Sequence, residues 1–343
     1  METTIFVKNK RALYTSFSKN KRAVVFKPEW QYVRVKAYYA DNVIRFMKSA
    51  DSSGKIMLRV GEIAEALAGK VREPITTGTT ESKLQPLEIW FETPDGAEYL
   101  LKYKEYIIGG ERWDDQVADD EFLMQHFLSV RPKKHYTNPL SKEIISFVNI
   151  QDAHVTITVS LAGGQTAQQT LWREGGQEDL DKLIDVDVSC VAIAQLCKLT
   201  DQTINSYTIS LSGRDNIEFV VKENTPSMSF IFLNSLGGWD TIHAYGKITS
   251  SQSSDVSTFI NNNIEQELSN HSVDYCEVNT GFVETMEEER FWREFFRSSN
   301  RYVQRGNTFH RIVVDEYKAE KDGGVLGSFT LKFHLADQSK KMI

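Results

Sequence analysis

The sequence predicts a mainly β chain: two tandem β-sandwich-like domains, each with a short helix, and a C-terminal α+β domain. Three observations predict it. Runs of alternating apolar and polar residues recur along the chain, separated by turns rich in Gly, Asp and Asn. The order hairpin, strand, short helix, hairpin occurs twice, at a spacing of roughly 120–130 residues, which is the size of a domain rather than of a solenoid repeat. The last hundred residues then change pattern, pairing an acidic, aromatic helix with closing strands.

Residues 1–20 read as an N-terminal arm, with Thr4-Ile5-Phe6-Val7 as a short strand. The first sandwich spans 21–110. Its strands are Ala23–Phe26, Tyr32–Tyr39, Val43–Met47 and Ile56–Val60, the last running into a helix over Glu62–Ala68 that Gly69 ends. Residues 70–86, rich in Thr, Gly, Ser and Glu, read as an exposed loop. Leu87–Glu92 and Tyr99–Ile108 form a hairpin around Pro94-Asp95-Gly96. Residues 111–150 read as a crossing segment pinned by aromatic residues, acidic at its start and basic at Arg131-Pro132-Lys133-Lys134-His135.

The second sandwich, 151–247, repeats the first. Val155–Val159 and Ala167–Trp172 make a hairpin, and Ile184–Val188 leads into a helix with Ser189 as N-cap. Tyr207–Leu211 and Ile217–Val221 make a second hairpin. A third, Met228 to Tyr245, closes the domain. Met228, Phe230 and Phe232 share one face, and Trp239, Thr241, His243 and Tyr245 share one face of the return strand. Asn234 and Ser235 are placed to bond back to their own backbone, and Gly237-Gly238 to take positive φ. In the C-terminal domain, 248–343, Val273–Val278 is a strand and Asn279-Thr280-Gly281 a turn. Thr285-Met286-Glu287-Glu288 is a capping box opening a helix with one apolar face, Phe291, Trp292, Phe295 and Phe296. Ile312–Tyr317 and Ser328–His334 close the chain.

The 343 residues carry a net charge of −7, with 41% hydrophobic and 25% charged residues. That is ordinary globular composition, and the acidic balance argues against nucleic acid as a partner. Three cysteines make no disulfide framework, and Cys190 and Cys197 read as small buried hydrophobes. The start of the sequence lacks the pattern of a signal peptide, and no run is long and apolar enough to span a membrane, so synthesis in the cytoplasm is expected.

No catalytic, cofactor or metal motif stands out. The seven histidines show no HxH, HxxxH or HxxE spacing, so His243 reads as a strand side chain on a sheet face. The acidic runs Asp114-Asp115, Asp119-Asp120-Glu121 and Asp179–Asp181 read as solvated surface. Alternation puts Asp240 on the face opposite Trp239, His243 and Tyr245, so these four are not expected to converge. Structural or interaction roles are therefore expected for Asn234, Gly237, Gly238, Trp239, Asp240 and Tyr245, and for Phe291, Trp292 and Phe295 as the helix's core face.

The segment Asn234-Ser-Leu-Gly-Gly-Trp-Asp-Thr241 after an aromatic strand resembles an element of uncharacterised phage and prophage virion proteins, of tail or baseplate type, from Bacteroides-group bacteria. The strand-to-helix junction at Ile184–Leu196 is similar to the same family, as is Asn279-Thr280-Gly281 followed by an acidic helix ending Arg297-Ser298-Ser299. The resemblance covers roughly residues 150–335 and, more faintly, 20–108. It implies a non-enzymatic role in a virion assembled in a host cell, with other virion proteins as partners and a homo-oligomeric ring as the form. It carries over no catalytic residue. Two alternatives stay open at this point. One is a module binding surface glycans through Trp30, Trp90, Trp113 and Tyr106. The other is a glycoside hydrolase with dispersed carboxylates, which would need two of them about 5–10 Å apart in a cleft.

Overall fold

The computed structural model describes residues 23–25, 31–39, 42–53, 56–59, 73–83, 86–92, 94, 98–106, 119–149, 153–173, 182–199, 203–261, 264–322 and 325–337. The strand expected at 4–7 and the helix at 62–68 lie outside these residues, as do Trp30 and Trp113 and the acidic residues 114, 115, 179 and 181.

The first unit contains β1 (Ala23–Val25), β2 (Tyr32–Tyr39), β3 (Asn42–Ser49), β4 (Met57–Arg59), β5 (Thr79–Lys83), β6 (Pro86–Glu92) and β7 (Glu98–Tyr106). Four of these form a sheet in the order β3-β2-β6-β7, while β1 pairs with β4. The alternation in β2 has a direct consequence: Val33, Val35 and Ala37 are buried, facing Ile89 and Phe91 from β6, while Arg34 reaches outward to Glu92.

Next come α1 (Asp119–Gln125), β8 (Lys134–Thr137), β9 (Ile144–Asn149), β10 (His154–Leu161), β11 (Thr166–Arg173), β12 (Lys182–Asp187), α2 (Cys190–Leu196), β13 (Ile204–Leu211) and β14 (Asp215–Val221). One sheet has the order β11-β10-β13-β14-β8 and faces a second sheet, β5-β12-β9. Their shared core holds Val155, Ile157 and Val159 from one side, Phe147, Ile184 and Val186 from the other, and Ile193 from α2. The internal repeat thus appears as topology. Two hairpins joined through their first strands, β3-β2-β6-β7, recur as β11-β10-β13-β14, and the pair β1-β4 recurs as β9-β12.

Two expectations are corrected here. Residues 79–83 are not loop but β5, antiparallel to β12, with Glu81 opposite Ile184. The Glu81 carboxylate accepts from Lys182 and from the Trp172 indole, which fastens the strand through both oxygens of that side chain. Residues 111–150 are also not merely a crossing segment. They supply β8, parallel to β14, and β9, antiparallel to β12. β9 escaped the alternation rule because all six of its residues are buried, covered on both faces, and a doubly covered strand reads as a continuous apolar run.

The last unit holds β15 (Met228–Leu233), β16 (Trp239–Ala244), β17 (Ile248–Asn261), β18 (Ile264–Asn279), α3 (Met286–Arg297), β19 (Arg301–Arg305), β20 (Thr308–Asp322) and β21 (Val325–Leu335). Its sheet runs β16-β15-β19-β20-β21-β18-β17. The hairpin β15–β16 therefore does not close the second sandwich. Its strand β15 pairs with β19, so it forms one end of the final sheet. The capping box of α3 is formed in both directions, and Phe291, Trp292, Phe295 and Phe296 all lie buried against Phe230, Phe232 and Phe333. The aromatic face of the helix is the domain's own core, and full burial of each ring contributes roughly 1.5–3 kcal/mol.

Candidate functional site

The hairpin tip is built by Asn234. Its Oδ1 accepts from the amides of Leu236 (2.9 Å) and Gly238 (3.0 Å), the local turn that short polar side chains favour. Gly237 takes φ of +81°, as expected, but Gly238 does not have positive φ. Its glycine requirement is one of space, because a Cβ there would stand 1.9 Å from the carbonyl oxygen of Leu128. That backbone approach carries the tip into a small core of Leu123, Leu128, Val148, Leu183 and Leu236. Ser189 at the start of α2 departs from expectation in a smaller way, since its side chain makes no capping bond and its amide donates to Asp187 instead.

Asp240 anchors the polar side of this hairpin. Fully buried, it accepts four hydrogen bonds: Ser129 Oγ (2.6 Å) and Arg131 Nε (2.8 Å) on Oδ1, and the Val130 amide (3.0 Å) and Asn234 Nδ2 (2.6 Å) on Oδ2. Four bonds fill the acceptor sites of a carboxylate. The Arg131 side chain, with no solvent exposure, then reaches around the free edge of β16. Its Nη1 donates to Glu143 Oε2 (3.2 Å) and its Nη2 to the carbonyl of Ile144 (2.7 Å).

Glu143 is also fully buried, and its second oxygen, Oε1, meets two imidazoles. His243 Nε2 lies at 2.9 Å and His135 Nε2 at 3.3 Å. The other nitrogen of His243, Nδ1, is 2.9 Å from Ser229 Oγ. Burial alone would raise the Glu143 carboxyl, but the charges and hydrogen bonds of His135 and His243 outweigh it and hold it below the usual carboxylate range. Burial lowers His135 from its ordinary value. The same edge of β16 is closed further along, where Ser146 Oγ accepts from the Trp239 amide and Thr241 Oγ1 donates to the carbonyl of Lys142. An unprotected edge strand would invite pairing with other chains, and here it is capped by side chains instead.

The structure brings together what the alternation had separated. Asp240 and His243 do lie on opposite faces of β16, yet Arg131 bonds both Asp240 and the carboxylate that holds His243. His243 is a strand side chain of β16, as expected, and its ring nitrogens meet buried groups, Glu143 and Ser229. Arg131, His135 and Glu143 had no place among the sequence candidates. A weak signal existed in β8, where His135 and Thr137 alternate inward against outward Lys134. Nothing in the local sequence pairs position 143 with 243.

The remaining candidates fall elsewhere. Trp239 is wholly buried, packed edge-on against Tyr302 and near Ile144 and Ile231, while Tyr245 is exposed, with its phenol pushed up to about 12 by partial burial. Trp90 is half-buried and packs edge-on against Tyr38. Cys190 is buried with its thiol raised to about 12, an unreactive state, and all three cysteines are free. No protein-family model matches this chain, and no curated protein sequence matches it.

Proposed function

We propose that this chain is a non-enzymatic structural protein of a larger assembly, of the phage or prophage tail type (baseplate or tail tip) that its hairpin motif resembles, making its contacts with other virion proteins and with copies of itself. The observation that carries this reading is the way its units are joined. The first repeat contributes β5 to the second repeat's sheet, and the segment between them contributes β8 and β9 to both of that repeat's sheets. A chain joined by shared strands holds its domains in register under load, which suits a scaffold better than a protein whose domains close over a substrate.

Surface features support the same reading. Tyr245 stands beside Gly281, the next residue, Phe282, is 85% exposed, and Met286, the first residue of α3, is 67% exposed. Large apolar side chains left this exposed are of the kind that protein contacts cover. The buried carboxylates Glu143 and Asp240 are both engaged with Arg131 and have no solvent face, which does not favour the hydrolase alternative. Native mass spectrometry of the purified chain tests the proposal, with a cyclic oligomer as the expected species. A strict monomer whose gene lies away from any tail-morphogenesis cluster would overturn it.

A further inference from the structure

Arg131 brings one positive charge to two carboxylates, Asp240 and Glu143, and Asp240 is already saturated by hydrogen bonds. The second oxygen of Glu143, Oε1, faces the point where both histidines converge.

We propose that His135 Nε2, His243 Nε2 and Glu143 Oε1 form a binding site for a divalent transition metal of the zinc class. The three donor atoms lie within 4.8 Å of one another on buried residues. The two spacings to Glu143, 2.9 and 3.3 Å, are close to the edge of about 3.3 Å that a tetrahedron with arms of ~2.0–2.1 Å requires. The donor types suit zinc, two imidazoles and a carboxylate. The orientation suits it as well. Ser229 Oγ can accept a hydrogen bond from His243 Nδ1–H, the tautomer that leaves Nε2 free to ligate and the outer support that ligating histidines ordinarily have. Glu143 Oε2 keeps its bond to Arg131 while Oε1 binds.

The ligands come from different units. His135 lies on β8 of the second sandwich, Glu143 just ahead of β9, and His243 on β16 of the final sheet. A metal here would pin the second repeat to the last domain, so its role would be structural, and this inference stands independently of the assembly proposal.

The test is titration of the full chain, stripped with a chelator, with Zn²⁺ by calorimetry and with Co²⁺ by visible absorption. One equivalent is expected to bind, with the intense Co²⁺ band of a tetrahedral site. Thermal unfolding should shift upward, with about a hundredfold gain in the folded-to-unfolded ratio at zinc a hundred times the dissociation constant. His243→Asn should abolish the band. Because that variant can lose its fold, Ser229→Ala gives a second reading: all three ligands stay, and affinity should fall about 10–100-fold. The proposal is overturned if the folded wild-type chain binds neither ion at one equivalent, or if binding survives unchanged in both variants, which would place the ion at an exposed histidine such as His154.

Discussion

The first and second repeats share one strand order and differ in what is added to it. In the first, β3-β2-β6-β7 is accompanied by the short pair β1-β4. In the second, the matching pair β9-β12 gains β5 on one side, and the matching sheet gains β8. The added strands come from outside the repeat, and one of them, β8, brings His135 to the buried polar node, where it meets Glu143 just ahead of β9. The difference teaches that topology alone does not set how firmly a domain is held. The second repeat is a middle layer, with one face of β9 and β12 against β10 and β13 and the other against the β15–β16 hairpin tip. The described charge pair on the first repeat's sheet, Arg34–Glu92, is by contrast an exposed surface contact.

That contrast can be broken most severely at the node. Asp240→Ala removes one of the two buried carboxylates on Arg131 and leaves the Val130 amide without its acceptor, and a loss of roughly 3–5 kcal/mol is expected in urea unfolding. Trp239→Ala, which empties a fully buried indole site beside Tyr302, should cost about 3–5 kcal/mol as well. Proline scanning of β5 should be position-dependent. Of Thr80→Pro and Glu81→Pro, one points its amide into the β12 ladder and the other away, so one should cost at least about 1 kcal/mol more than the other. Thr285→Ala removes one half of the α3 capping box and should cost about 1 kcal/mol. Arg34→Ala in the first repeat should change stability by no more than about 1 kcal/mol.

Acidification sharpens the same contrast. The folded chain holds His135 below its ordinary value, so the unfolded chain takes up the proton first and stability is lost as pH falls below about 6.5. Glu143, also lowered, contributes stability that is present above about 4.3 and is lost as pH falls further. Both act in one direction. Urea midpoints should therefore fall between pH 7.5 and 5, and His135→Gln should flatten the upper part of that decline.

Much of the fold was legible. Alternation located β2, β3, β10, β13 and β15, and the doubled order of hairpins appears in the sheet connectivity. The capping box and the Phe291–Phe296 face were legible because both are local, depending on contacts three or four residues apart. What escaped was set by distant partners. Thr79–Lys83 has a polar loop composition and becomes a strand only because β12 offers an open edge. The hairpin β15–β16 follows the second repeat in sequence but pairs with β19, some seventy residues on, which no periodicity encodes. The node was hidden for the same reason. Asp240, Arg131, Glu143 and His243 are ordinary surface residue types, and only their shared burial around the edge of β16 makes them a unit.

The β15–β16 hairpin is, on this account, a joint held by coupled buried charges and not a set of independent strand side chains. A double-mutant cycle between Arg131→Met and Asp240→Asn, read by urea unfolding, tests that coupling most directly. A coupling energy of at least about 1 kcal/mol is predicted for the pair. Additivity within about 0.3–0.5 kcal/mol, with both variants folded, would contradict it.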